Sequence, residues 1–242
     1  NLAQALADVA SIAIVQDQAA RDAADREARL QHALIRRVAI EQAKGMLAEH
    51  AAVDMDKAAT AKLEEDYARA ETPLVSNNSA HRWTPDVPMM VPEINSDHQA
   101  VIEFQRRRLG TKRGFIAVKP NCSIQSYVPA IHPLWAFGPA RIAVCTYQAV
   151  SGAGKTLEGW PETNHNVIPF IKGEEEKSEQ EPLKIWGEIR DGKIMTAPRP
   201  LITAQCLRVP VSDGHMAAVS VAFDKKPPKD EIIAAWRAYR GV

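Results

Sequence analysis

All 16 prolines of this 242-residue chain, and all but one of its 12 glycines, lie at or beyond Pro73. That break constrains the fold more than any single motif. A stretch with no proline and one glycine, Gly45, has almost no turn chemistry, so it suits long helices and little else. Apolar residues there recur at helical spacing, at Leu30, Leu34, Ile35 and Val38. The pattern predicts amphipathic helices over residues 1–70, paired or in a coiled coil. The string EHAAVDMD predicts a turn into a further helix capped near Asp54. Residues 1–55 lack the β-branched runs and turn glycines of a dinucleotide-binding sheet.

Beyond Pro73, short β-type runs alternate with helical ones. GFIAVKP, RIAVCTYQAV, ITAQCLRVPV and MAAVSVAF read as strands. SIQSYVPAIHPLWAF has helical spacing interrupted by Pro129 and Pro133, and reads as a broken helix. PKDEIIAAWRAYR reads as a helix with Pro228 and Asp230 at its start. The expected class is α+β: a helical N-terminal extension, then a sheet domain over about 110–225 that is mostly antiparallel with helices on one face. The run KGEEEKSEQEP reads most simply as a solvated charged loop.

Composition narrows the function. Thirty basic side chains balance thirty acidic ones, which excludes a generally basic nucleic-acid coat. The cysteines, Cys122, Cys145 and Cys206, are too scattered for a disulfide framework and form no CxxC zinc pair; they point to a reducing cytoplasm. No apolar run approaches the ~20 residues of a membrane span. The opening NLAQALADVASIAIVQDQ is a poor signal peptide and lacks an initiator Met, so the chain is expected to begin inside a longer product.

The string GAGKT (152–156) imitates the end of a phosphate-binding P-loop. That motif needs G-x-x-x-x-G-K-[ST], and its first glycine would fall on Ala149. The spacing excludes it. A strand running into a small-residue turn remains a common place for a ligand.

Four strings share an order and spacing: KPNCS (119–123), TYQAVSGAGKT (146–156), GEEEKSEQEPLKIWG (173–187) and CLRVPVSDGH (206–215). Together they resemble the aspartate-β-semialdehyde dehydrogenase family from about Leu63 to the C-terminus. PLVSNNSAHRWTPDVPMMVPEIN resembles the end of that family's cofactor domain. The resemblance implies NADPH-dependent reduction of aspartyl-4-phosphate through a cysteine thioester, in the biosynthesis of lysine, methionine and threonine. It implies a cytoplasmic homodimer, with no membrane partner and no metal. Cys122 matches the nucleophile. It is expected to open a helix after a strand, where free N–H groups favour a thiolate. His215 matches the base that takes the thiol proton, and Gln148 the residue that orients substrate. Arg208 matches the arginine for the α-carboxylate, whose planar fork suits a bidentate grip. Glu174 and Lys177 match the E-x-x-K pair, contacting the substrate amine and phosphate respectively. Arg82 matches the phosphoryl-binding arginine. Ser151, Gly152, Ala153 and Gly154 match the turn on which the nicotinamide end of NADP rests. Cys145 and Cys206, inside apolar strands, are expected to be buried and inert.

The resemblance also predicts a glycine-rich pyrophosphate turn, and none can be written before residue 110. Cofactor binding by this chain is therefore expected to be impaired. In that turn's place, LIRRVAIEQAKGMLAEHAAVDMDKA (34–58) resembles the start of an ANTAR module, and LADVASIAIVQDQ the last helix of a GAF domain. The implied organisation is a GAF/ANTAR-like extension over 1–58, a remnant of an NADP-binding domain over 59–120, and a catalytic and dimerisation domain over 121–242. Two alternative functions follow: a GAF–ANTAR-type regulatory fragment, with RNA a partner only through residues 1–58, and an acyl-thioester reductase of the malonyl-CoA type.

Overall fold

The computed structural model describes residues 52–241. The GAF/ANTAR-like segment lies almost wholly outside these residues, as does the expectation of helices over 1–51. The first described element is helix α1 (Ala52–Arg69), and Asp54 lies within it. Residues from Ala59 onward form one unit.

Strand β1 (Pro73–Ser76) pairs in parallel with β2 (Phe115–Val118). Parallel strands need a crossover, and the chain between them supplies two helices, α2 (Pro92–Asn95) and α3 (Ile102–Leu109). Gln105 on α3 is fully buried and holds this layer together. Its Nε2 donates to the Asp86 and Ile116 carbonyls, and its Oε1 accepts from the Ile116 N–H.

After β2 the chain breaks into short turns, with only the four-residue α4 (Val128–Ile131) between 3₁₀ segments. Pro129 and Pro133 remove donors there, as the sequence predicts. The main sheet follows: β3 (Pro139–Gln148), β6 (Leu201–Arg208) and β7 (His215–Phe223), in the order β6–β3–β7. Between β3 and β6 lie helix α5 (Glu174–Ile185) and the small hairpin of β4 (Glu188–Arg190) and β5 (Lys193–Met195). The chain closes with α6 (Lys229–Ala238), preceded by Pro228 as predicted.

Two expectations need correction. The sheet is mixed: β3 runs antiparallel to β7 but parallel to β6. The long connection through α5 returns the chain to the same end of the sheet, which makes the parallel pairing possible. The charged run is no loop; it is α5, and most of its charge is used. Glu174, Ser178, Glu181 and Lys184 are all buried, while Glu176 and Gln180 are exposed. Glu175 and Glu179, one turn apart, accept from the Cys206 and Ala204 N–H groups on the free edge of β6. Edge donors that would otherwise recruit another strand are thereby satisfied. Pro182 lies inside this helix and cannot donate to the carbonyl four residues back, on Ser178. The buried Tyr127 hydroxyl takes its place, donating to the Ser178 oxygen at 2.9 Å.

The inner face of the sheet places Ile142, Val144 and Ile202 in a core with Val118, Ile124, Tyr127, Val128 and Ile185. Further along the same alternation the inward positions turn polar: Thr146, Gln148, Arg208 and His215. The core therefore ends where the site begins.

Candidate active site

Strand register assembles the first part of the site. Gln148 ends β3 and is paired with Arg208 on one side and His215 on the other. Three side chains distant in sequence thus share one face at one end of the sheet, beyond the carboxyl ends of the two parallel strands. Ligands favour that position in open α/β sheets.

Cys122 approaches from the β2 side. Its turn is built by Asn121, whose Oδ1 accepts from the Ser123 N–H at 3.0 Å and the Ser123 hydroxyl at 2.7 Å. The expected helix N-terminus is absent, because only a single 3₁₀ turn, Ile124–Ser126, follows the cysteine. The partner of the sulfur is instead His215, with Nε2 3.1 Å from Sγ. The ring's other nitrogen, Nδ1, accepts from the Ala149 N–H at 3.1 Å. A nitrogen that accepts carries no proton, so a neutral ring here holds its hydrogen on Nε2, facing the sulfur. In that tautomer the ring faces the sulfur as a donor.

Helix α5 brings the third set of groups. Glu174 Oε1 accepts from Lys177 Nζ at 2.7 Å and from Asn121 Nδ2 at 3.0 Å, and Oε2 accepts from Gln148 Nε2 at 3.3 Å. Burial pushes the Glu174 carboxyl up, but the Lys177 ammonium and the two amides outweigh it and hold it below the usual carboxylate range. Two turns further, Glu181 Oε1 accepts from Arg82 Nη1 at 2.8 Å, and Oε2 from the Asn121 N–H at 2.7 Å. Burial dominates at Glu181 and raises its carboxyl despite Arg82. Lys184 donates to the Arg82 and Thr84 carbonyls at 2.6 and 2.9 Å; burial pulls its ammonium down to about 8.

A cavity of about 570 Å³ opens over the cysteine, lined by Arg82, Lys119, Asn121, Cys122, Ser151, Gly152 and His215 among others. Of the residues read from the sequence, Cys122, His215, Arg82, Ser151 and Gly152 line it, and Glu174, Lys177 and Gln148 join it through Asn121. Arg208 lies behind Gly152, with Nη1 donating to the Ala149 carbonyl at 2.7 Å and Nε without a protein partner. Burial pulls its guanidinium down from its ordinary value, against the opposing pull of Glu174. Ala153 and Gly154 do not reach the cavity wall; Gly154 serves the turn, at φ +68°. Gly152 is required by space: a Cβ there would lie 2.9 Å from both Arg208 Nη1 and His215 Cε1. Cys206 is buried, as expected, but Cys145 is half-buried on the outer face of the sheet. Alternation put it there, since Val144 and Thr146 take the inward positions.

Sequence reading missed Asn121, Lys119 and Glu181. The last had a visible signal: Glu174, Lys177, Glu181 and Lys184 are spaced three, four and three apart, which puts them on one helix face.

Three kinds of comparison say what the chain is similar to. Residues 131–241 match the family described as semialdehyde dehydrogenase, dimerisation domain. An aspartate-semialdehyde dehydrogenase of Archaeoglobus fulgidus is 41% identical over 181 residues, covering 74% of this chain and 52% of that relative. One from Aspergillus fumigatus is 39% identical over 185 residues, covering 74% and 51%. The crystal structure of the Candida albicans aspartate semialdehyde dehydrogenase with NADP superposes with a TM-score of 0.65 at 33% identity, covering 74% of this chain and 52% of that one. The chain thus spans about half the length of the curated relatives it matches.

Proposed function

We propose that this chain carries the thiol chemistry of an aspartate-semialdehyde dehydrogenase, with residues 121–242 as the catalytic and dimerisation domain and 59–120 as part of the NADP-binding one. The observation that carries the reading is the Cys122–His215 contact at 3.1 Å, at the floor of a cavity shared with Arg82 and Lys119. Cys122 Sγ, its thiol proton released to solvent, attacks as the thiolate on the acyl carbon of aspartyl phosphate. The bond from that carbon to the phosphate oxygen breaks, and phosphate leaves with the electron pair toward Arg82, giving the thioester. The His215 Nε2–H donates first to sulfur and then to the carbonyl oxygen as charge gathers there. Arg208 takes the α-carboxylate, Glu174 the α-ammonium, Lys177 the phosphoryl oxygens, and Gln148 steadies Glu174. A carboxylate held below its usual range suits an ammonium group, and this favours an aspartyl substrate over a malonyl one.

Ser151 and Gly152, the part of the turn that lines the cavity, suit the nicotinamide end of NADP. A Cβ at Gly152 would strike His215 and Arg208, so the bare backbone at that position keeps the cavity wall within reach of the cysteine. Bound there, NADPH would supply the hydride that releases the thioester as aldehyde. Thioester formation needs no cofactor, so it is the half-reaction that the residues around Cys122 can carry by themselves. The outer sheet face, with Leu201, Met216, Tyr147, Ala143 and Ala218, is open and largely apolar, and suits a second copy of the chain. Among the described residues no helix is long and apolar enough to cross a membrane; a cytoplasmic homodimer fits the reading.

The test is intact-mass measurement after mixing the chain with aspartate, ATP and an aspartate kinase, which generate the acyl phosphate in place. An aspartyl adduct on Cys122, absent in Cys122→Ser, is expected. No adduct, or one on Cys145 or Cys206, would sink the reading.

A further inference from the structure

Glu181 is 1% exposed and is not itself among the residues lining the cavity. Its two oxygens nevertheless hold two pieces of the site that come from separate loops. One oxygen takes the Arg82 guanidinium, and the other takes the main-chain N–H immediately before the cysteine. Lys184, on the same helix face, holds the Arg82 segment a second time by its carbonyl. The remaining Arg82 contact, Nη2 to the Asn77 carbonyl at 3.1 Å, is local to its own loop. The pairing of β1 with β2 and the Lys119 N–H donated to the Ser76 carbonyl join the two loops at their bases; out at the arginine and the cysteine, one buried carboxylate on α5 bridges them.

We propose that Glu181 is a positioning residue that fixes Arg82 relative to Cys122, so that an anion held by Arg82 stands over the sulfur. The inference rests on the reading of Cys122 and Arg82 given above. A carboxylate is needed because both partners are donors: Glu181→Gln offers one acceptor and one donor, and must lose one of the two bonds. It also strips a buried guanidinium of its counter-charge.

The experiment uses inorganic phosphate as the probe and alkylation of Cys122 by iodoacetamide as the readout, followed by peptide mass spectrometry, with Cys145 as the internal reference. In the wild-type chain phosphate is expected to slow Cys122 labelling and leave Cys145 unaffected. Glu181→Gln is expected to raise the half-protecting phosphate concentration about tenfold, the effect of one charge-assisted hydrogen bond. Arg82→Ala is expected to abolish protection, and the Arg82→Ala/Glu181→Gln double variant to behave as Arg82→Ala alone. Glu181→Asp, which keeps the charge but not the reach, is the second variant and should also raise the midpoint. Unchanged protection in Arg82→Ala, or none in the wild type, would remove the anion reading and this proposal with it. Protection lost in Arg82→Ala but kept at the wild-type midpoint in both Glu181 variants would overturn this proposal alone. So would a Glu181 effect matched by equal changes at Cys145 and in the melting curve, which would make the residue a packing element only.

Discussion

The Gly152→Ala variant tests the geometry at its tightest point. The glycine has ordinary backbone angles, so alanine costs nothing in φ or ψ; the cost is space. The added methyl carbon would sit 2.9 Å from His215 Cε1, 3.0 Å from His215 Nε2 and 2.9 Å from Arg208 Nη1. Ordinary contact begins near 3.5 Å, so the neighbours must retreat by about 0.5 Å. Neither is free to do so. His215 is held by Cys122 and by the Ala149 N–H, and Arg208 by the Ala149 carbonyl. The ring must therefore tilt and lengthen its bond to sulfur, or the loop must lift. Such overpacking costs about 1–3 kcal/mol of stability. If a 1 Å misplacement costs ~10²-fold in reactivity, half that distance costs roughly tenfold. The assay is the second-order rate of Cys122 alkylation, with Cys145 on the far sheet face as reference and a thermal melt in parallel. A rate about tenfold lower at Cys122 alone, with a modest loss of melting temperature, is expected. A wild-type rate at Cys122 would refute the argument that the His215–sulfur contact governs the thiol.

Other measurements reach other parts of the molecule. Nitrogen-15 NMR of the His215 ring should find the proton on Nε2 and none on Nδ1; the reverse tautomer would contradict the Ala149 contact. Lys184 has its ammonium lowered from 10.5 to about 8 by burial, so the unfolded chain binds the extra proton between those values and stability from this group rises with pH across that window. The difference is on the order of 3 kcal/mol; Lys184→Met should remove the rise, and chemical denaturation at pH 7 and pH 10 measures it. Tyr127→Phe should cost about 1–3 kcal/mol by stranding the Ser178 carbonyl, and much less in a Pro182→Ala background, where the helix can satisfy that oxygen itself. Additive losses in that double-mutant cycle would dismiss the account of the proline.

How much of this was legible before folding differs by level. The strand runs around Ile116, Val144, Cys206 and Val219 were readable from local pattern, because alternation is a property of neighbours in sequence. The pairing of those strands was not. Whether β3 meets β6 in parallel depends on where a fifty-residue excursion returns the chain, and no local signal encodes that. The alignment of Gln148 with Arg208 and His215 follows from that pairing, so motif spacing pointed to the residues while register alone explained their meeting. The charged run shows the opposite failure. Charge predicts exposure when each group is solvated separately, and here each glutamate was assumed to face water. Glu175 and Glu179 instead satisfy a strand edge, Glu174 gathers two amides and a lysine, and Glu181 ties an arginine to a backbone N–H. Partners so distant, from Arg82 to Ala204, cannot be read from a twelve-residue window. The three-four-three spacing of Glu174, Lys177, Glu181 and Lys184 could be. A charged stripe of mixed sign along one helix face fits a solvated surface, but it fits equally well a helix that buries charges against partners of its own. The spacing does not choose between them, because a polar helix can also be held by i,i+4 pairs on its own surface. The choice is made by the edge of β6 and by the Arg82 loop, both far from α5 in sequence.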